Sequence, residues 1–289
     1  FISNEHIAAD LSLMKIFLIL SFLLTSSLVS AQARSSTAAA NVRVLEKQFE
    51  MPGLARTRQI RIYLPPSYEG ADSNYPVIYM HDGQNLFDDA TSFVGEWGVD
   101  ELLNEISAEG GPEFIVVGID NGGELRLEEL TPYPNPKYGG GKGAQYLAFI
   151  VEVIKPYIDE YYRTLPDAEH TCLMGSSLGG LITHYGIYTY PEVFSKAGVF
   201  SPSYWFSYEQ MKQLTSDNPL PKSHRLNLLV GKKEGANMYL PMGEMVKTIK
   251  ESGHPETNLV SKVVEDGEHN EKFWRSELKE ALLWLFKEE

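Results

Sequence analysis

Continuous apolar runs that end in polar residues, separated by stretches of helical spacing, constrain this chain more than any other feature. PVIYMHD (76–82), EFIVVGID (113–120), HTCLMG (170–175), KAGVFSP (196–202) and LNLLVGK (226–232) are of this kind, and LVSKVVE (259–265) is a more mixed version. A strand that is apolar on both faces needs cover on both faces, which is the situation of a buried parallel strand. Between the runs, residues 99–107, 144–162, 178–190, 239–253 and 272–287 carry apolar residues at helical intervals. Strand-then-helix alternation predicts an α/β fold, a mostly parallel central sheet with helices on both faces. Pro156 predicts a bend or restart within 144–162, because proline cannot donate to the helical ladder. At the front, NVRVLEKQFEM and TRQIRIYLP predict an antiparallel pair. With no internal repeat and no second linker, 42–289 reads as one domain.

Charge and the N-terminal segment bound the setting. The formal net charge is -14, so nucleic acid is not an expected partner, since phosphate binding needs a basic surface. Met14 and Lys15 open a short positive region, followed by an apolar stretch at 16–24 and by Ala31-Gln32-Ala33, which fits an A-x-A cleavage site. Residues 14–33 are therefore expected to be a signal peptide, 34–41 a linker, and the protein secreted or periplasmic. Residues 1–13 read as upstream sequence translated in frame. The apolar stretch is too short to span a bilayer, and no cysteine at the cleavage site offers a lipid anchor, so no stable membrane attachment is expected. Cys172 is the only cysteine; it can form no intrachain disulfide and reads as a small buried hydrophobe.

The chemistry centres on Gly175-Ser176-Ser177-Leu178-Gly179, which fits G-x-S-x-G with Ser177 in the middle. A nucleophile on a sharp strand-to-helix turn needs small neighbours two residues away on either side, and this segment lies between a predicted strand and a predicted helix. Ser176 does not fit, because Met174 stands two before it. A serine nucleophile needs a base, and the base an orienting acid, in the order Ser, Asp or Glu, His on such a fold. His269, between the last strand and the final helix, is the expected base; His254 reads as a loop residue. Glu234, at the tip of the strand at 226–231, is the expected acid, with Asp266 as its rival. Backbone N–H groups of Leu178 and of Gln84, in the loop HDGQNLF, are the expected oxyanion donors. His81 and Asp82 have no further ligand at a suitable spacing; they are expected to position that loop, and neither metal nor cofactor is expected. YGGGKGAQ (138–145) lacks the spacing of a phosphate loop and reads as a flexible loop.

With these residues in view, YMHDGQNLF, GEWGVDE, GSSLGG, FSPSYW and GEHNEKFW together resemble the putative-esterase family of α/β-hydrolases, from about residue 42 to the end. That family includes feruloyl, acetylxylan and enterochelin esterases, S-formylglutathione hydrolases and mycolyl transferases. The resemblance implies an α/β-hydrolase fold and a serine esterase acting through an acyl-enzyme on short-chain or aromatic acyl esters, either small molecules or linked to polysaccharide. It places Ser177 on the nucleophile, His269 on the base and Gln84 on the oxyanion donor, and puts Glu234 where many members have Asp. It also implies a substrate cleft lined by Trp97, Asn121, Arg126, Tyr133 and Trp205. Acyl transfer to another alcohol and a non-catalytic binding role are the competing readings, and the oligomeric state is left open.

Overall fold

The computed structural model describes residues 34–287, and the expected signal peptide lies outside them. Six of the apolar runs form strands of one eight-stranded sheet: β1 (Val42–Val44), β2 (Ile60–Tyr63), β3 (Val77–His81), β4 (Ile115–Ile119), β5 (Thr171–Ser176), β6 (Lys196–Phe200), β7 (Arg225–Gly231) and β8 (Leu259–Val264). Their spatial order is β1-β2-β4-β3-β5-β6-β7-β8. β2 runs against its neighbours β1 and β4, and β3 to β8 pair in parallel. The expected front pair is split: β1 pairs with β2, while Phe49–Met51 and Arg56–Arg58 form a separate hairpin.

Burial follows from position. Every residue of β3, β4, β5, β6 and β7 is buried, whereas β8, at the edge, alternates. That is why its sequence is mixed. The longer helices among the described residues are α1 (Val99–Ala108), α2 (Gly143–Phe149), α3 (Lys155–Tyr161), α4 (Leu178–Thr189), α5 (Tyr208–Asp217), α6 (Ala236–Glu251) and α7 (Glu271–Leu285). Leu173 of β5 packs on one face with Leu147, Ile158, Leu181, Met211 and Met245. Its neighbours Cys172 and Met174 belong to the second apolar cluster, with Leu103 of α1 and Leu278 of α7. Each such large apolar side chain contributes about 1.5–3 kcal/mol on burial, so the period-two alternation of β5 fastens both layers. Burial pushes the Cys172 thiol up to about 12, which leaves it an inert core residue.

The restart expected at Pro156 is present: a π-helical stretch, Ile150–Ile154, follows α2, and α3 begins at Lys155 with Pro156 in its first turn, the Lys155 N–H reaching back to Ile150 O. A wider turn absorbs the missing proline donor. Within the expected linker, 34–41, three residues are bonded to the fold. Ser36 and Thr37 bond to the Asp88 carboxylate, and the Ala39 N–H donates to Asp100 at 2.7 Å.

Two buried histidines make stability pH-dependent. His184 on α4 is held by Thr215 (2.9 Å) and Tyr204 (2.7 Å), and burial lowers it to about 3. Burial lowers His81 to about 4. Below the ordinary value of 6.5 the unfolded chain takes up protons that these folded imidazoles refuse, so acid favours unfolding. Stability is thus expected to be fully present above about 6.5 and to drain as pH falls toward about 4. Melting curves across that window check this; an unchanging Tm would contradict it.

Candidate active site

The expected residues stand beyond the C-terminal ends of the strands: Gln84 after β3, Asn121 and Arg126 after β4, Ser177 after β5, Glu234 after β7 and His269 after β8. At the end of β5 Ser177 has φ 60° and ψ −119°, a region that costs a non-glycine residue about 1–3 kcal/mol. Three backbone hydrogen bonds hold it there: Ser177 N–H to Phe200 O, and Leu181 and Ser203 N–H to Ser177 O, each 3.0 Å. At roughly 0.5–1.5 kcal/mol apiece they offset that strain. Close packing explains the glycines. A Cβ on Gly175 would lie 2.8 Å from the His81 ring, and one on Gly180 2.6 Å from Phe200 O, while one on Gly179 would meet nothing nearer than 3.4 Å. The tight positions are therefore 175 and 180.

His269 and Glu234 come together. The His269 Nδ1 lies 2.6 Å from Glu234 Oε2; the imidazole is 37% exposed and the carboxylate side chain fully buried. The other oxygen of Glu234 accepts from Ser201 Oγ (2.6 Å) and from the Gly231 N–H (2.7 Å). Ser201 in turn accepts from Trp274 Nε1 at 2.9 Å, and the Trp274 ring stands edge-on to His269. Asp266 is not in this cluster: its side chain is 88% exposed and pairs with Lys233 at 3.0 Å. Among the described residues, the Ser177 hydroxyl's hydrogen bond goes to Ser203 Oγ (3.3 Å) rather than to the imidazole.

The turn bearing Gln84 is fixed from several sides. Gly83–Asn85 forms a 3-10 turn headed by Asp82, which has φ 58°, a left-handed conformation costing an L-residue about 1–2 kcal/mol. The buried Asp82 carboxylate accepts two bonds from Arg126 (2.6 and 2.8 Å) and one from Asn121 (2.6 Å). Burial opposes its charge, but the guanidinium and amide outweigh that and hold it below the ordinary carboxylate range. The Asn121 N–H donates to the Gln84 side chain at 2.9 Å. His81 bonds to Tyr146 at 2.8 Å. Leu178 is the first residue of α4, so its N–H has no intrahelical acceptor.

The five residues expected in the cleft do not form one group. Trp97 is 2% exposed, stacked on Trp274 and tilted against Phe200, in a core position. Asn121 and Arg126 spend their polar groups on Asp82 and Gln84; Glu128 and Glu129, beside Arg126 in sequence, pair instead with Arg56 and Arg58. Tyr133 meets Tyr185 edge-on and lines a groove with Gln210 and Leu214 of α5. Trp205 is 44% exposed and edge-on to the equally open Tyr138, two residues beyond Ser203. Ser201, Ser203 and Trp274 went unrecognised as site residues; the signal for the first two was their place just past an apolar run, in FSPSYW. Among the described residues, the group of carboxylates close enough to share a cation is Glu96, Asp100 and Glu101, apart from these residues in sequence and with ligand oxygens within 4.8 Å.

The strand order, the strained serine at the tip of β5 and the His269–Glu234 pair beyond β7 and β8 define an α/β-hydrolase fold. Solved structures agree: the BES protein from Bacillus cereus superposes with a TM-score of 0.70 at 23% identity, covering 87% of this chain and 97% of that one. The chain belongs to the family described as Putative esterase, whose model matches residues 52–285, and with it to the carboxylic-ester hydrolases. It is similar to the uncharacterized protein YbbA of Bacillus subtilis, 30% identical over 80% of this chain and 94% of that protein. It is also similar to a siderophore enterobactin esterase of Emericella nidulans, 31% identical over 45% of this chain and 46% of that protein. Among the described residues no helix is long and apolar enough to cross a membrane.

Proposed function

We propose that the protein is a serine esterase in which Ser177 is the nucleophile, His269 the general base and Glu234 the orienting acid. The observation that carries this is the 2.6 Å bond from His269 Nδ1 to the buried Glu234, beside a serine held in a strained elbow. With Nδ1 occupied, Nε2 is left to accept the Ser177 proton. Ser177 turns from Ser203 toward the imidazole when substrate fills the cleft, since resting catalytic bonds are often longer than those in the complex. Its oxygen attacks the ester carbonyl, and the N–H groups of Leu178 and Gln84 hold the developing oxyanion. His269 returns the proton to the leaving alcohol. Water then attacks the acyl-enzyme, giving its proton to His269, and the acid is released as Ser177 is reprotonated.

The acyl group is short or aromatic on this reading. Trp205 and Tyr138 present open rings beyond Ser203, and rings suit aromatic acids by stacking. The name of the Emericella relative, a siderophore esterase, points the same way, toward compact esters. Long acyl chains need a continuous apolar tunnel, since each buried CH₂ contributes about 0.8 kcal/mol. Acetate-to-hexanoate esters are therefore expected to be cleaved with higher kcat/KM than dodecanoate, with no jump in rate on an emulsion. A panel of p-nitrophenyl esters beside methyl ferulate and acetylated xylan measures this, with free acid separated from transferred acyl. Faster turnover of long-chain triglyceride than of butyrate would make the enzyme a lipase. The signal peptide expected at 14–33 fits action outside the cytoplasm.

A further inference from the structure

We infer that Asp82, Arg126 and Asn121 form a positioning bridge for the oxyanion turn, so that Arg126 and Asn121 act on catalysis through Gln84 and not by touching substrate. This rests on the reading of Gln84 as an oxyanion donor. The geometry behind it is a clamp with two jaws. On one side the carboxylate of Asp82 is gripped by both the Nε and Nη2 of Arg126 and by the Asn121 amide. On the other, the side chain of Gln84 accepts from the backbone of that same Asn121. Gly83, between them, lies so close to the backbone of β4 that a Cβ would fall 2.7 Å from Gly118 and 2.9 Å from the Asp120 nitrogen. Three successive residues are thus fixed to β4 and the loop that follows it.

The clamp has a reason to exist. Asp82 is left-handed at the head of this turn, a conformation that costs an L-residue free energy unless its surroundings hold it. An oxyanion donor is effective only if it is aimed before charge develops. The bidentate fork fixes both angle and distance, which a lysine ammonium on the same carboxylate would not do. Arg126 is itself anchored: it opens the helical turn Arg126–Glu129, whose last residue is buried between Arg56 and Arg58.

The test is steady-state hydrolysis of p-nitrophenyl butyrate by the full chain, with inhibition by phenylboronic acid, which forms a tetrahedral adduct on a nucleophilic serine. Arg126→Lys is expected to lower kcat roughly 10²-fold, the loss typical of one oxyanion donor, while KM changes by less than about threefold. Boronate affinity should fall in step with kcat, a readout that a merely structural role would not move. Guanidinium in solution should restore part of the activity of Arg126→Ala. If Arg126→Lys melts early, Asn121→Ala serves instead, with a smaller loss in the same direction. A raised KM at constant kcat would mean direct substrate contact and would overturn the inference, as would unchanged kcat and boronate affinity. Ser177→Ala, run alongside, separates the two levels. Were it active, the underlying reading would fall as well; were it inactive while Arg126→Lys kept full kcat, the positioning role alone would fall.

Discussion

Ser177→Ala is expected to abolish ester hydrolysis, with a fall in kcat on the order of a millionfold, the cost of removing a nucleophile from an intact site. The fold should not suffer, because the three bonds that hold the elbow involve only its backbone. Ser176→Ala should keep most activity: Ser176 is the last residue of β5, and its side chain is buried with the strand. Turnover of p-nitrophenyl butyrate and labelling by a fluorophosphonate, with melting curves as the folding control, decide the matter. Activity of more than a few percent in Ser177→Ala would remove it as the nucleophile.

Glu234→Gln should cost roughly 10²–10⁴ in kcat, and the structure explains why a near-isosteric change is so expensive. Ser201 and the Gly231 N–H both donate to one oxygen of Glu234, so the carbonyl of a glutamine will stay on them. Its amide NH₂ then faces His269 Nδ1 and demands an acceptor there. The ring answers by carrying its proton on Nε2, the nitrogen that must take one from Ser177. Asp266→Asn, on an exposed residue paired with Lys233, should change kcat little. The reverse pattern, a silent Glu234→Gln and a severe Asp266→Asn, would transfer the acid to Asp266.

The strands and the elbow at Ser177 were legible because each is encoded locally. An apolar run marks a buried strand wherever it lies, and a nucleophile elbow is a five-residue pattern. Helix α5 was not legible: of its residues only Met211 and Thr215 are buried, too few for a periodic signal. Trp97 and Trp205 are both tryptophans just beyond glycine or serine turns, yet one is core and the other open. Nothing near either in sequence separates them. The bonds of Arg126 and Asn121 to Asp82 were not legible for another reason. Their partner Asp82 lies 44 and 39 residues away, and a sequence that offers several carboxylates to one arginine does not say which it takes. Glu128 and Glu129 lie nearer in sequence, but the hairpin arginines claim them.

The chain of bonds from Trp274 through Ser201 and Glu234 to His269 has a temporal side. A polypeptide made from its N-terminus presents the oxyanion turn first, then the serine, then the acid, then the base, and last the indole that fixes Ser201. Domains settle in roughly that direction as they emerge. On the proposed assignment the serine therefore emerges 92 residues ahead of its base, and the bonded chain is complete only once α7 packs against the sheet and brings Trp274 onto Ser201.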